Sequence, residues 1–415
     1  MINQSRIMVI GGGISGISSA LEASEAGQQV ILVEKNTSLG GRVSRFHQYF
    51  PKLCPPTCGL EINYRRLRSN SKVELYLGTE ITSISGEAGS FKVKATKKPR
   101  YVTQECVNCG ECEKVCPVER GNEFNCGMNK TKAVYLPHPM AYPPLYAVDR
   151  EVCPSGCSKC VAACAYQAIK LDMEEEKLEF EVASLVFATG WRPYRTSKLT
   201  QLGFSGQPDV INNVMMERLA AVNGPTEGKL ERPSDGKPIK SVAFVQCAGS
   251  RDENHLSYCS AICCLASLKQ ATYVLEQNPD AQVYIFYIDI RTPGRYEDFV
   301  RRVQEMPNVN MIKGKVAKLE EAPEGRMTVV AEDVMNRRMM RQQVDLVVLA
   351  TGMEPNLKDI ELDGIRLDDE GFLQPDLQQP GIFAAGVAKR PVDVNQSIQD
   401  ATGTALKAIQ TAGGF

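Results

Sequence analysis

Hydrophobic and polar positions along this chain switch between two periods. A compact apolar run, Arg6 to Ile10, passes through Gly11 to Gly16 into apolar positions at helical spacing as far as about Ala26, and a second apolar run follows from Gln29 to Glu34. The pattern predicts strand, tight turn, helix and strand, a βαβ opening that implies a parallel sheet. From about Val73 to Thr96, short strand-like runs are broken by Gly78, Gly86 and Gly89. Between about Lys97 and Asp172 the periodicity fades while cysteine, proline and glycine rise, which predicts a small inserted domain. The first fold resumes from Leu178 to Ala188 and ends in Ala188-Thr189-Gly190. A second βαβ unit is predicted from a strand over Ser241 to Gln246, a helix from about Ser260 to Glu276 and a strand from Gln282 to Asp289. Val344 to Ala350 closes it in Ala350-Thr351-Gly352, a weak repeat of the earlier strand end. The segment Gly381-Ile-Phe-Ala-Ala-Gly386 and a helix from about Gln396 to Ala412 complete the chain.

Composition narrows the class. The chain has 415 residues, 43% hydrophobic, with 48 basic and 49 acidic residues and a formal net charge of -1. That balance fits an ordinary globular protein of two or three domains and argues against nucleic acid as a partner. No apolar run approaches the roughly 20 residues of a membrane-spanning helix. The apolar stretch Ile7 to Ile10 is too short for a signal-peptide core, so no export is expected. Fifteen cysteines stand out, eleven between Cys54 and Cys164 and four between Cys247 and Cys264. An odd count without an export signal points to metal ligation or redox chemistry in a reducing compartment.

The first turn, Gly11-Gly12-Gly13-Ile14-Ser15-Gly16, fits GxGxxG, and Glu34-Lys35 ends the next strand. Gly11 permits the turn, Gly13 lets backbone approach a pyrophosphate, and Gly16 allows close helix–strand packing. The helix N-terminus stabilises phosphate charge, and Glu34 can accept hydrogen bonds from a ribose. With Gly40-Gly41-Arg42, the ends Ala188-Thr189-Gly190 and the late segment to Gly386, this set resembles the glutathione-reductase and thioredoxin-reductase superfamily. The resemblance implies an α/β, two-dinucleotide-binding flavoprotein fold with FAD on the first unit. Residues 1–96, 173–235 and 353–415 would form the FAD domain. Residues 97–172 would be an inserted ferredoxin-like domain, and 236–352 a second Rossmann-like domain. Val387 follows Gly386 where many members carry aspartate, a departure that touches the ribityl contact.

Cys106, Cys109, Cys112 and Cys116 follow CxxCxxCxxxC with Pro117 behind, and Cys153, Cys157, Cys160 and Cys164 repeat the run with one more residue in the first gap. In two-cluster ferredoxins the fourth cysteine of each run serves the other cluster. One [4Fe-4S] cluster is therefore assigned to Cys106, Cys109, Cys112 and Cys164, and a second to Cys153, Cys157, Cys160 and Cys116. Each run holding its own cluster, or a pair of structural zinc sites, are the competing readings. In the second βαβ unit a pyrophosphate turn is missing, and Cys247, Cys259, Cys263 and Cys264 stand in its place, the last three expected at the start of the helix. By spacing alone these are either ligands or packed thiols. Cys54 and Cys58 admit a redox dithiol, partial ligands or packed thiols, and Cys126 is isolated. His47, His138 and His255 are read as loop or surface residues. Arg251 and Arg291 suit either negative charge near a cofactor or salt bridges.

Tyr101-Val102 ahead of the first cysteine run, Cys116-Pro-Val-Glu, Asn122-Glu-Phe, Cys247-Ala-Gly-Ser-Arg-Asp, Tyr258-Cys-Ser-Ala-Ile-Cys-Cys and Asp289-Ile-Arg resemble the heterodisulfide reductase A-subunit family over essentially the whole chain. That resemblance implies a third [4Fe-4S] cluster on Cys247, Cys259, Cys263 and Cys264. Because no cysteine follows Cys264, the chain resembles most the shorter A subunit of the quinone-interacting membrane-bound oxidoreductase of sulfate reducers. An oxidoreductase subunit is then implied, passing electrons between a membrane quinone pool and adenylylsulfate reductase. Its expected partners are a heme-bearing membrane subunit together with a homologous flavin/iron-sulfur subunit, and its expected place is the inner face of the cytoplasmic membrane. A soluble, possibly bifurcating heterodisulfide-reductase-like complex, or an NAD(P)H-dependent disulfide reductase using Cys54 and Cys58, are the alternatives. A zinc-binding assembly protein is a further one.

Overall fold

The computed structural model describes residues 6–202, 206–292 and 294–413. Residues 1–5, 203–205, 293, 414 and 415 of the expected domains lie outside the described residues. Two compact units result, one taking the chain up to Trp191 and again from Pro355, the other Arg192–Glu354.

In the first unit, five parallel strands run in the order Ile382–Ala384, Ser184–Phe187, Arg6–Ile10, Gln29–Glu34 and Val73–Leu77. Continuous apolar runs make these strands because the sheet is covered on both faces. Ile7, Val9, Val30 and Leu32 face one apolar cluster with Ile17, Leu21, Ala401 and Ala405 from the helices Ile14–Glu25 and Val394–Gly413. Met8, Ile31 and Leu185 face another, with Phe91, Val93 and Phe180. Those last three come from an antiparallel sheet, Thr79–Ser85, Phe91–Lys97 and Glu176–Val182, whose residues alternate buried and exposed over Phe91 to Ala95.

The cysteine-rich insert leaves from one of these strands and returns on its neighbour, since Lys97 pairs with Glu176. It carries two short helices, Glu111–Lys114 and Lys159–Ala163, and two-stranded ribbons. The sequence reading makes it a separate domain, but it remains with the first compact unit. Hydrogen bonds explain this: Leu39 N donates to the Tyr142 carbonyl at 3.0 Å, and Arg45 Nη1 donates to the Glu123 carbonyl at 2.9 Å.

The second unit repeats the arrangement with a parallel sheet ordered Val210–Asn212, Leu346–Thr351, Ser241–Ala248, Gln282–Tyr287 and Val309–Lys313. An antiparallel sheet of Val316–Glu321, Met327–Asp333 and Arg338–Val344 accompanies it. Two expectations need correction here. Residues 192–235 belong to this unit rather than to the flavin domain, because Val210–Asn212 forms its edge strand against Leu346–Thr351. The helix begins at Cys263, not near Ser260, because Ala261 takes a left-handed φ of +54° that no α-helix accommodates.

Candidate flavin cradle and thiol fields

In the first unit, the turn after Arg6–Ile10 is packed so tightly that side chains are excluded. A Cβ on Gly16 would lie 1.7 Å from the Gly11 carbonyl oxygen, and one on Gly11 would lie 2.3 Å from the Ala188 carbonyl oxygen. The backbone of Gly41 comes so close that its own Cβ would lie 2.8 Å from Gly13 Cα, and a Cβ on Gly386 would lie 2.2 Å from Ser15 Oγ. Gly11, Gly13, Gly16, Gly41 and Gly386 thus gather with Ser15 around the start of the helix Ile14–Glu25. No side chain caps that helix, so its first amides point outward as an anion site.

Glu34 closes the next strand, 6% exposed, accepting from Gly12 N at 2.6 Å and from Asn36 N at 2.8 Å. Burial pushes its carboxyl up, against the pull of those donors. Lys35 beside it is exposed. Arg42 donates to the Trp191 carbonyl at 3.0 Å and lies 5.5 Å from the centre of that indole ring. Burial, with repulsion from Arg45, pulls its guanidinium down to about 10. Ala188 is buried, Gly190 has φ +68°, and the hydroxyl of Thr189 between them is buried without a hydrogen-bond partner among the described residues. An uncapped helix start, a cradle that a Cβ would fill and an orphaned hydroxyl fit a phosphate-bearing dinucleotide.

Sequence reasoning missed Asp400. Gly386 N donates to its Oδ2 at 2.8 Å, and Lys389 Nζ meets its Oδ1 at 3.0 Å. This carboxylate fixes the late glycine turn from inside the final helix. The only signal was an acid among small and apolar residues.

In the insert, Cys112, Cys116 and Cys160 are buried in a small apolar cluster with Val102, Val134 and Ile169, and Cys106, Cys153 and Cys164 pack against it. Cys109 is exposed and Cys157 half-buried. Burial pushes Cys112 up to about 12, and Cys106 and Cys109 add to it. Cys153 and Cys160 are pushed up by burial too, and both feel Cys116, the last thiol of the other run. Ala168 N donates to Cys164 Sγ at 3.3 Å.

In the second unit, Cys247 lies near the end of the strand Ser241–Ala248. Cys263 and Cys264 open the helix, while Cys259 lies four residues before it in a loop, correcting its expected place. Cys263 is pushed up by burial and then by Cys264, Cys247 and Cys259; Cys264 is raised to about 11 by burial, with Cys247 and Cys259 adding. The connecting loop holds Cys247, Gly249, Arg251 and Ala261 at positive φ. Cys263 Sγ donates to the Thr351 carbonyl at 3.4 Å, and Arg291 N donates to Cys264 Sγ at 3.5 Å.

All-thiol donor sets in apolar surroundings suit iron–sulfur ligation. Among the described residues, no three histidine, cysteine, aspartate or glutamate side chains close around a single bare ion. The remaining cysteines stand apart. Cys54 is half-buried, Cys58 is exposed in the first turn of the helix Pro56–Ser69, and both raise the Tyr49 hydroxyl, behind burial as the larger cause. Cys126, at φ +56°, acts on Arg42. No described helix is long and apolar enough to cross a membrane.

Residues 6–75 match the family described as FAD dependent oxidoreductase. The chain resembles thioredoxin reductase of Lactococcus lactis with a TM-score of 0.55 at 13% identity, over 99% of this chain and 100% of that one. The fold is therefore the two-dinucleotide-binding flavoprotein fold. At the level of sequence the chain is similar to the A subunit of the ferredoxin/F(420)H(2)-dependent CoB-CoM heterodisulfide reductase of Methanosarcina acetivorans, 38% identical over 98% of this chain and 53% of that protein. It is also similar to the iron-sulfur A subunit of the CoB-CoM heterodisulfide reductase of Methanocaldococcus jannaschii, 37% identical over 96% of this chain and 63% of that protein. The chain spans between about half and two thirds of the length of these relatives.

Proposed function

We propose that this chain is a FAD- and iron–sulfur-carrying electron-transfer subunit of a multi-subunit oxidoreductase. One observation carries the reading: the second βαβ unit has the topology of a nucleotide site, yet its first strand carries Cys247 one residue before its end, in electrostatic reach of Cys259, Cys263 and Cys264. A unit so built offers thiols where a nicotinamide cofactor would need a glycine turn.

FAD exchanges electrons in pairs or singly while each [4Fe-4S] cluster carries one, so together they convert and conduct. The chain's residues supply the sites. Gly11, Gly13, Ile14, Ser15, Gly16, Gly41 and Gly386 would face the pyrophosphate, Glu34 the ribose, and Arg42, Ala188 and Gly190 the flavin side. Cys106, Cys109, Cys112 and Cys164 would hold one cluster and Cys153, Cys157, Cys160 and Cys116 the next, a crossing favoured by the action of Cys116 on Cys153 and Cys160. Cys247, Cys259, Cys263 and Cys264 would hold the third. The reading calls on no general acid or base.

The names of the relatives favour a heterodisulfide-reductase-like assembly as the frame. Within it, the resemblance in the sequence motifs carries the finer assignment: a homologous flavin/iron–sulfur subunit, a heme-bearing membrane subunit on the quinone side and adenylylsulfate reductase on the other. Affinity purification from anaerobic cells, with flavin, iron and heme counts, tests it. Copurification of adenylylsulfate reductase with the heme-bearing subunit is the expected outcome. Soluble disulfide-reductase or hydrogenase subunits in their place replace the quinone arm, and rapid bleaching of the isolated chain by NADPH or NADH overturns the subunit reading.

A further inference from the structure

The second unit holds a group of charges that the electron path just proposed does not use. Arg251 leaves the loop at φ +58° with its side chain only 24% exposed. Its Nη1 meets Asp289 Oδ1 at 2.5 Å, and its positive charge acts on the Cys247 thiol four residues earlier. Arg291 braces Asp289 from the other side, with Nε 3.5 Å from Oδ1. The backbone here also serves Cys264: its Sγ donates to the Asp289 carbonyl at 3.8 Å and accepts from Arg291 N at 3.5 Å. Two guanidiniums against one carboxylate leave one positive charge in excess at the edge of the four thiols.

We propose that Arg251, braced by Asp289 and Arg291, is a positioning residue that raises the reduction potential of the second thiol field through the positive charge it holds at the edge of those thiols. The inference rests on the proposed cluster there. Adding an electron to a thiolate-ligated cluster increases its negative charge, so a nearby cation stabilises the reduced state more than the oxidised one. Arginine holds its charge across the accessible pH range.

An EPR-monitored redox titration of the full chain, purified anaerobically, tests this on the signal that Cys263→Ser removes. Arg251→Gln is expected to keep wild-type iron and flavin and to lower that midpoint. The reduced-to-oxidised ratio at a fixed potential should fall about tenfold, about 59 mV for one electron, while the signals of the insert stay in place. A midpoint that holds or rises with all iron present overturns the inference and leaves the proposed function standing. A wild-type chain with no signal that Cys263→Ser removes overturns both. If Arg251→Gln loses iron, Arg291→Gln decides, since it removes the other guanidinium at Asp289 and keeps the backbone donor to Cys264: a lower midpoint supports the inference, and an unchanged or higher midpoint overturns it.

Discussion

The two βαβ units place the same strand end at the same point of their sheets and fill it with opposite chemistry. After Ile10 come glycines that clear space for a backbone approach; after Gln246 comes a thiol, and the rest of its set stands in the loop and the helix start beyond. Topology fixes where a ligand can sit, at the carboxyl edge of the parallel strands. Residue type then decides between an anion held by amides and a metal held by sulfur. The cradle needs an empty surface and the thiol field needs a crowded one. Each therefore fails differently when altered.

The largest expected effect breaks the cradle alone. Gly16→Ala would put a Cβ 1.7 Å from the Gly11 carbonyl oxygen, so bound flavin should fall below about a tenth of wild type, with a stability loss of about 1–3 kcal/mol. Flavin absorbance and urea unfolding check both, and the iron of the second unit should persist. Cys263→Ser is the mirror image, expected to remove about one third of the bound iron, one cubane of three, with flavin retained. Iron and sulfide analysis that shows unchanged content would sink the third cluster.

A double substitution sharpens the contrast inside the insert. If the ligands cross between runs, Cys116→Ser with Cys153→Ser should lose no more iron than either alone, whereas Cys116→Ser with Cys106→Ser should lose twice as much. The reverse pattern would mean that each run keeps its own cluster. Glu34→Gln should weaken flavin binding by roughly 10- to 100-fold, the range of a charged hydrogen bond of about 1.5–3 kcal/mol, as read by flavin titration of the stripped protein.

The smallest effect concerns pH. Cys112 is pushed up to about 12 and Cys264 to about 11, so in metal-free protein both are protonated near neutrality. Their alkylation should speed up about tenfold per pH unit, levelling near those values, because the thiolate is the nucleophile. Ligand binding must displace these protons, so iron should bind more tightly as pH rises. Alkylation that is already fast and flat between pH 7 and 9 would refute the assignment.

Much of the fold was legible in the sequence because the central strands are apolar on both faces. The runs at Arg6, Gln29, Ser241 and Gln282 could be read directly. The unit boundary could not, because the strand that moves residues 192–235 is three residues long, Val210–Asn212, and declares itself only by pairing with Leu346–Thr351. Thiol spacing announced the candidate ligands, but the left-handed Ala261 that shifts Cys259 out of the helix carries no residue-type signature. Asp400 and Asp289 were hidden for a related reason: each acts on a turn or a charge far from it in sequence.

The loop between Cys247 and Ala261 has a mechanical consequence. Cys247, Arg251 and Ala261 are held left-handed, at about 1–2 kcal/mol each for a residue with a Cβ. The proposed cluster on the four sulfurs would work as a clasp on a bent spring. A chain stripped of metal should relax there first, and limited proteolysis should open it between Cys247 and Ala261 while the sheet on either side stays whole.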